Sequence, residues 1–365
     1  MKIAFFNSIV FWGGGEKWHY ETAVSFAKMN HQVYFFGNPK GKIHEKLQSH
    51  HDIRFVPVNL SNLSFLNPFK INRLAKILKK EQIEVIIINH PGDLKIAANA
   101  AHKAGVKRII YRRGSAIPVK NKFLNRYIFK NWVTDILANS QATKVTILQN
   151  NPDLFPKEKI KVIYNHIDVQ EFLSRESSPK ITRNNDEIII GNLGRLSYQK
   201  NQKFLIDLSK KLSQQHINHK IYIGGTGELE AELKQYNKEQ NTEENVIFTG
   251  FETNVKNFLS GIDVFFLSSI WEGFGYVLAE ANLCEKPCIA FNTNSMPELV
   301  IDNKNGFLIT PNDLDEAVEK IKLFAQNPQL ITEYGAYGKE FVLHNFSKEV
   351  IIQQLKEYIL ESPST

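Results

Sequence analysis

Short runs rich in β-branched and aromatic residues alternate with amphipathic stretches of helical length, and the alternation passes through the chain twice. KIAFF, QVYFF, IRFVPV, Glu84–Ile88, RIIY and DILA make the first pass, with helical stretches such as Glu16–Met29 and Phe69–Lys80 between them. IIIGNLGRL, KIYIGG, NVIFTG, DVFFLSS, KPCIAF and GFLI make the second. Such alternation favours largely parallel sheets covered by helices on both faces. A chain of 365 residues also exceeds what one core usually organises. The expectation is an α/β fold of two doubly wound, Rossmann-like domains. The polar segment SRESSPKITRNN, Ser174–Asn185, marks the boundary. It gives an N-terminal domain over 1–173 and a C-terminal one over 174–345. A last amphipathic stretch within 346–365, KEVIIQQLKEYIL, is expected to pack back on the first domain.

Residues 1–175 hold 27 Lys and Arg against 12 Asp and Glu, a balance of +15; the total of +7 leaves −8 for the rest. A basic first half points to an anionic partner such as a phospholipid surface or a phosphorylated glycan. Nucleic acid is disfavoured, because no recognised module stands out and the basic residues do not alternate with aromatics along a stripe. Two stretches are candidates for an anionic membrane surface. One is NLSNLSFLNPFK, with Leu60, Leu63, Phe65, Leu66 and Phe69. The other is VKNKFLNRYIFKNW, where Lys120, Lys122, Arg126 and Lys130 lie among Phe123, Tyr127, Phe129 and Trp132. The alternative for the second is a core helix whose aromatics face the sheet. Cys284 and Cys288 lack metal-site spacing and read as buried thiols of a reducing cytoplasm. No apolar run approaches the roughly 18 residues of a membrane span. A cytoplasmic protein, at most peripheral on the inner face of the membrane, is expected.

The stretch SSIWEGFGYVLAEANLCEKPCIAF places Glu272 before a Gly-Phe-Gly bend and Glu280 inside the helix that follows. In open parallel sheets ligands bind beyond the carboxyl ends of strands. A helix starting there presents the amides of Gly275, Tyr276 and Val277 and a partial positive charge, which suit phosphate. Gly273 and Gly275 permit close backbone approach. Glu280, about a turn on, is placed to accept hydroxyl hydrogen bonds from a ribose. Glu272 is placed to reach what hangs from the phosphates. Taken singly, each glutamate reads as a solvated residue; together with the bend they form a pattern. His90 follows VIIIN at a strand end, again on the ligand side.

EGFGYVLAEA, with its seven intervening residues, resembles the signature of the retaining glycosyltransferases of family 4, which have the GT-B fold. GGGEK, INH, ILANSQATK, VIYNHID, GNLGRLSYQKN, GGTGE, FTGF and MPELV match further family motifs in chain order, so the resemblance spans nearly the whole chain. It implies two Rossmann-like domains facing across a cleft, with the donor held mainly by the C-terminal domain and the acceptor by the N-terminal one. It implies that Arg195 and Lys200 neutralise a donor diphosphate, Glu272 contacts the transferred sugar and Glu280 binds the ribose. Gly14 and Gly15 would line the cleft near the phosphates, and His90 would sit beside the reacting sugar. Fixed cations and helix amides can stabilise the leaving diphosphate without a metal. The one DxD match, Asp313-Leu314-Asp315, reads as acidic first-turn residues of a helix.

The chain departs from the family pattern at His166, Glu285 and Asn294-Ser295-Met296, where glycines are common; the last turn puts the identity of the sugar in question. A nicotinamide dehydrogenase would need GxGxxG, and neither GGGEK nor GGTGE fits. The expected function is metal-independent, anomer-retaining transfer from a nucleotide-diphosphate sugar, a substrate and not a cofactor, to a glycan or lipid-linked acceptor in bacterial surface polysaccharide or lipopolysaccharide synthesis. Retention would follow the front-side course the family implies. The alternative is a non-catalytic GT-B-like subunit that binds a sugar nucleotide or glycan.

Overall fold

The computed structural model describes residues 1–61, 63–179, 181 and 186–360. The chain divides into two compact units, residues 1–166 with 351–365, and residues 167–350. The first unit holds strands β1 (Lys2–Asn7), β2 (Gln32–Gly37), β3 (Ile53–Pro57), β4 (Val85–Ile88), β5 (Arg108–Arg113), β6 (Asp135–Ala138) and β7 (Ile160–Val162). Helices α1 (Gly14–Lys28), α2 (Lys42–Leu47), α3 (Pro68–Lys80), α4 (Pro91–Ala104), α5 (Phe123–Asn131) and α6 (Gln141–Leu148) connect them. The second unit opens with α7 (Val169–Ser174). It continues through β8 (Ile188–Leu193), α8 (Lys203–Gln214), β9 (His219–Gly224), α9 (Glu230–Glu239), β10 (Val246–Gly250) and α10 (Val255–Ser260). Then come β11 (Val264–Leu267), α11 (Tyr276–Leu283), β12 (Cys288–Phe291), β13 (Gly306–Ile309), α12 (Leu314–Gln326), α13 (Pro328–Phe346) and α14 (Lys348–Leu360), the last ending in the first unit.

Both sheets are parallel, with orders β3-β2-β1-β4-β5-β6-β7 and β10-β9-β8-β11-β12-β13. The direction of winding therefore reverses between β1 and β4 and again between β8 and β11. Ligand crevices form at such switch points because the two loops there leave the sheet towards opposite faces. Strands such as Val85–Ile88 are buried along their whole length, as expected where helices cover both faces.

One face of the first sheet packs on α3, α4 and α5 through residues such as Ile71, Leu74, Ile96 and Ile128. The other packs on α1 and along α14 from Ile351 onward, whose Ile351, Ile352, Leu355 and Ile359 join Phe5, Trp18, Phe26 and Phe35. Arg108 pins that helix by donating to the carbonyls of Tyr358 and Ile359, and its guanidinium also pairs with Asp135 at 3.1 Å.

The division lies at 166/167, not 173/174, because α7 belongs with the second unit. Ile167 bridges to Ser347, and the Lys348 ammonium donates to Asp168 at 2.8 Å. The second crossing is at 350/351, five residues beyond the expected 345/346. Within the expected boundary segment Ser174–Asn185, residues 180 and 182–185 lie outside the described residues, as do 361–365 at the chain end. Among the described residues no helix is long and apolar enough to cross a membrane.

Candidate active site

In the second unit the loops after β8, β9 and β11 meet beyond the carboxyl ends of their strands. The β8 and β9 loops lie backbone against backbone: Gly194 N donates to Gly224 O at 3.0 Å, Leu196 N to Thr226 O at 3.0 Å, and Leu229 N to Leu196 O at 3.1 Å. The glycines of GGTGE permit this contact. A Cβ on Gly227 would stand 2.2 Å from Leu196 O, and one on Gly225, at φ +134°, would stand 1.9 Å from Gly194 O. Gly194 is bare for a related reason, since the Lys200 stem runs 3.2 to 3.5 Å from where its Cβ would be.

Lys200 is thereby aimed at Glu272. Its Nζ donates to Glu272 Oε1 at 2.5 Å, and Ser269 Oγ donates to the same oxygen at 2.8 Å. Ser268 Oγ donates to the carbonyls of Lys200 and Asn201, and Gln199 Nε2 to that of Trp271, so the two loops are tied on both sides of the ion pair. Glu272 is only 7% exposed, which overturns its reading as a solvated loop residue. Its Oε2 makes no hydrogen bond among the described residues and remains able to accept one.

Arg195 projects from the β8 loop into solvent, where its Nε and Nη2 fork onto Glu228 at 3.0 and 2.9 Å. The shared hydrogen bonds raise the Arg195 pKa and hold Glu228 below the usual carboxylate range.

Gly275 caps α11 in the left-handed region, at φ +87°, ψ 58°, where a side chain costs energy. Leu278 N donates to Gly275 O at 3.0 Å and closes the first turn that follows. Glu280 lies half-buried one turn further along α11. Asp313 is the N-cap of α12 and accepts from Glu316 N at 3.0 Å, while Asp315 pairs with Lys211.

In the first unit, Gly14 opens α1 and His90 caps α4, on the two sides of the β1/β4 switch point. His90 Nδ1 accepts from Gly92 N at 3.1 Å, which leaves Nε2 as the protonated nitrogen of the neutral ring. One turn on, Asp93 accepts from Ser8 N at 2.8 Å and Ser8 Oγ at 2.5 Å, joining the β1 loop to the start of α4. Burial pushes the Asp93 pKa up, against the pull of those two bonds. Gly15 approaches Asn89, whose Nδ2 would stand 2.8 Å from a Cβ at that position. Asn89 is held by buried Arg112, which donates to Asn89 Oδ1 at 2.9 Å and Asn165 Oδ1 at 2.6 Å and lies over the Trp18 ring. A cavity of about 330 Å³ beside His90 is lined by Ser8, Phe11, Phe65, Asp93 and Lys95. His166 is buried against Glu21 and Thr22 of α1, a role a glycine could not play.

The sequence-derived candidates thus fall into two groups. Arg195, Lys200, Glu272, Gly275, Tyr276, Val277 and Glu280 belong to the second unit, and Gly14, Gly15 and His90 to the first. The sequence reading missed the residues that hold them: Ser269, Ser268, Glu228, Asp93, Asn89 and Arg112. Glu228 had a signal as the last letter of GGTGE, Asn89 as the middle letter of INH, and Ser268 and Ser269 as the opening of SSIWEG, whereas Asp93 and Arg112 lay outside every motif.

Residues 12–171 match the family model described as Glycosyltransferase Family 4, and residues 174–341 the model described as Glycosyl transferases group 1. The chain belongs to the family 4 type of GT-B glycosyltransferases. This glycosyltransferase is 28% identical over 286 residues, 73% of each chain, to the UDP-Gal:alpha-D-GlcNAc-diphosphoundecaprenol alpha-1,3-galactosyltransferase of Escherichia coli. It is 25% identical over 288 residues to the poly(ribitol-phosphate) alpha-N-acetylglucosaminyltransferase of Staphylococcus aureus, covering 77% of this chain and 56% of that one. Its fold superposes on the crystal structure of Anabaena HepE in complex with UDP with a TM-score of 0.83, at 23% identity over 98% of this chain and 99% of that one.

Proposed function

We propose that the protein transfers a sugar, with retention of anomeric configuration and without a metal, from a nucleotide-diphosphate sugar to a glycan or lipid-linked acceptor of bacterial surface polysaccharide. The observation that carries this reading is the Lys200–Glu272 pair, nearly buried at a switch point beside the glycine-capped start of α11. A donor diphosphate would exchange partners with it. Phosphate oxygens would take the Lys200 ammonium, and Glu272, still held by Ser269, would turn its oxygens to the sugar hydroxyls. The exposed Arg195–Glu228 fork would open at little cost, since such surface pairs contribute about 0 to 1 kcal/mol. As the bond to the anomeric carbon breaks, charge gathers on the diphosphate, where two cations and the first-turn amides of α11 stabilise it. Glu280 would accept the ribose hydroxyls. The relatives named for diphosphoundecaprenol and poly(ribitol-phosphate) acceptors support a phosphate-bearing or lipid-linked acceptor, which the basic first half of the chain also favours.

The test is a panel of UDP-, GDP- and ADP-sugars, scored for thermal stabilisation and slow hydrolysis with and without EDTA. Glu280→Ala should weaken binding of the preferred nucleotide by about 1.5 to 3 kcal/mol, roughly 10- to 150-fold. Unchanged affinity in that variant would remove the ribose role, and activity abolished by EDTA and restored by a divalent ion would remove the metal-free mechanism.

A further inference from the structure

A cavity of about 910 Å³ opens in the first unit at the amino ends of β5, β6 and β7. The sheet is parallel, so this is the edge opposite the one that carries Gly14, Gly15 and His90, and the cavity is separate from the candidate active site. Six cations and three carboxylates line it. Arg108 and Asp135 answer each other, and Thr134 also donates to Asp135 at 2.6 Å, so that corner is internally satisfied. Lys107, Arg126, Lys130, Lys159 and Lys161 remain, against Asp153 and Glu158, and no ion pair among the described residues joins any of these seven. A concave surface with excess cations concentrates positive potential, which a bound anion relieves.

Asn151 supplies the second observation. Its side chain lines the same cavity and is only 7% exposed, yet its amide forms no hydrogen bond among the described residues. The amide group faces the open cavity on a side chain that is otherwise packed in place, and its NH2 offers two donors to an oxyanion. The rest of the floor, Phe129, Val133, Leu154 and Phe155, is apolar, so polar recognition concentrates on Asn151 and the lysine rim.

We propose that this cavity binds a phosphate group carrying at least two negative charges, with Asn151 donating to one oxygen and the lysines compensating the charge. Holding several flexible lysines costs side-chain entropy, so a multivalent anion is favoured over chloride or acetate. The site is independent of the transferase reading, because binding is measured without donor or turnover.

The experiment titrates full-length protein with inorganic pyrophosphate by calorimetry, without divalent ions and at fixed ionic strength. An Arg195→Ala background weakens the second unit's own hold on the same ligand, and the change that each first-unit variant makes within that background is what is read. Asn151→Leu should lower affinity several-fold, and Asn151→Asp or Lys130→Gln with Lys159→Gln at least tenfold, with thermal midpoints of the free proteins preserved. Pyrophosphate affinity equal to the parent in all three would overturn the proposal, as would weakening that follows loss of the free protein's midpoint. Cosedimentation with phosphatidic acid and phosphatidylcholine vesicles identifies the source of the phosphate, because the phosphomonoester of phosphatidic acid can carry two charges. If Asn151→Asp also reduces binding to anionic vesicles, the ligand is a lipid headgroup; if it affects pyrophosphate alone, the ligand is a soluble or glycan-borne phosphate.

Discussion

Removing the Lys200 ammonium strands the Glu272 carboxylate in a nearly closed pocket with Ser269 as its remaining side-chain donor. Lys200→Ala should therefore lower stability by about 3 kcal/mol, at the low end for buried pairs because Lys200 keeps some contact with water, and should lower turnover as well. Glu272→Gln, which keeps a neutral acceptor for Ser269, should cost less stability while still reducing turnover. Urea denaturation beside single-turnover kinetics checks both, and equal stability of Lys200→Ala and the parent would show that the pair is not desolvated. His19 gives a prediction on pH. It is wholly buried among Phe5, Trp18 and Phe35, neither ring nitrogen has a hydrogen-bond partner among the described residues, and burial with nearby Arg112 holds its pKa well below the ordinary value. The unfolded chain takes up this proton below about pH 6.5 while the folded chain does not, so stability falls as pH drops through that value, by up to about 1.4 kcal/mol per unit. His19→Leu should flatten the stability profile between pH 6.5 and 5; a slope identical to the parent's would assign the acid limb to other groups.

At the scale of elements, the glycine contacts set what the loops can tolerate. Gly227→Ala drives a Cβ onto the Leu196 carbonyl and should cost about 1 to 3 kcal/mol or shift the β8 loop. Gly275→Ala forces a side chain into the left-handed region and should cost about 1 to 2 kcal/mol. Both are read from chemical denaturation midpoints. The two aromatic and basic stretches split in the structure. Leu60, Phe65, Leu124, Phe129 and Trp132 pack against the core, whereas Phe69 and Phe123 are 84% and 83% exposed, and Leu63, Leu66 and Tyr127 are exposed too. If the exposed set inserts shallowly into an anionic bilayer, Phe69→Ser with Phe123→Ser should reduce vesicle cosedimentation at low salt; binding equal to the parent would leave the residues to another partner. The strands were legible because a parallel strand buried on both faces has to be an apolar run, as Val85–Ile88 is, and α11 because its glycine and carboxylates sit in a tight local pattern. The Ser8–Asp93 tie was not legible. It joins residues 85 apart in the chain, and nothing local distinguishes that aspartate from a solvated one. Phe123 and Phe129, six apart on one short helix, show the same limit: their composition is shared and only packing separates them.

For the whole molecule, the main fact is that the first unit is built from two separated pieces, residues 1–166 and 351–365, whereas the second is continuous. Residues 167–350 expressed alone should fold and unfold cooperatively. Residues 1–166 alone lack Ile351, Ile352, Leu355 and Ile359, and leave Phe5, Phe26 and Phe35 less covered. That fragment should be soluble and ordered only when a peptide of residues 348–365 is added, as circular dichroism with and without the peptide would report; a 1–166 fragment as stable as the full chain would refute this. The arrangement also imposes an order of events during synthesis. At about 5 to 20 residues per second, the ribosome delivers the last helix roughly 10 to 40 s after residue 166. The earlier-made unit must wait, incomplete, while the later one finishes, and a message cut short near its end yields a chain whose first half never closes.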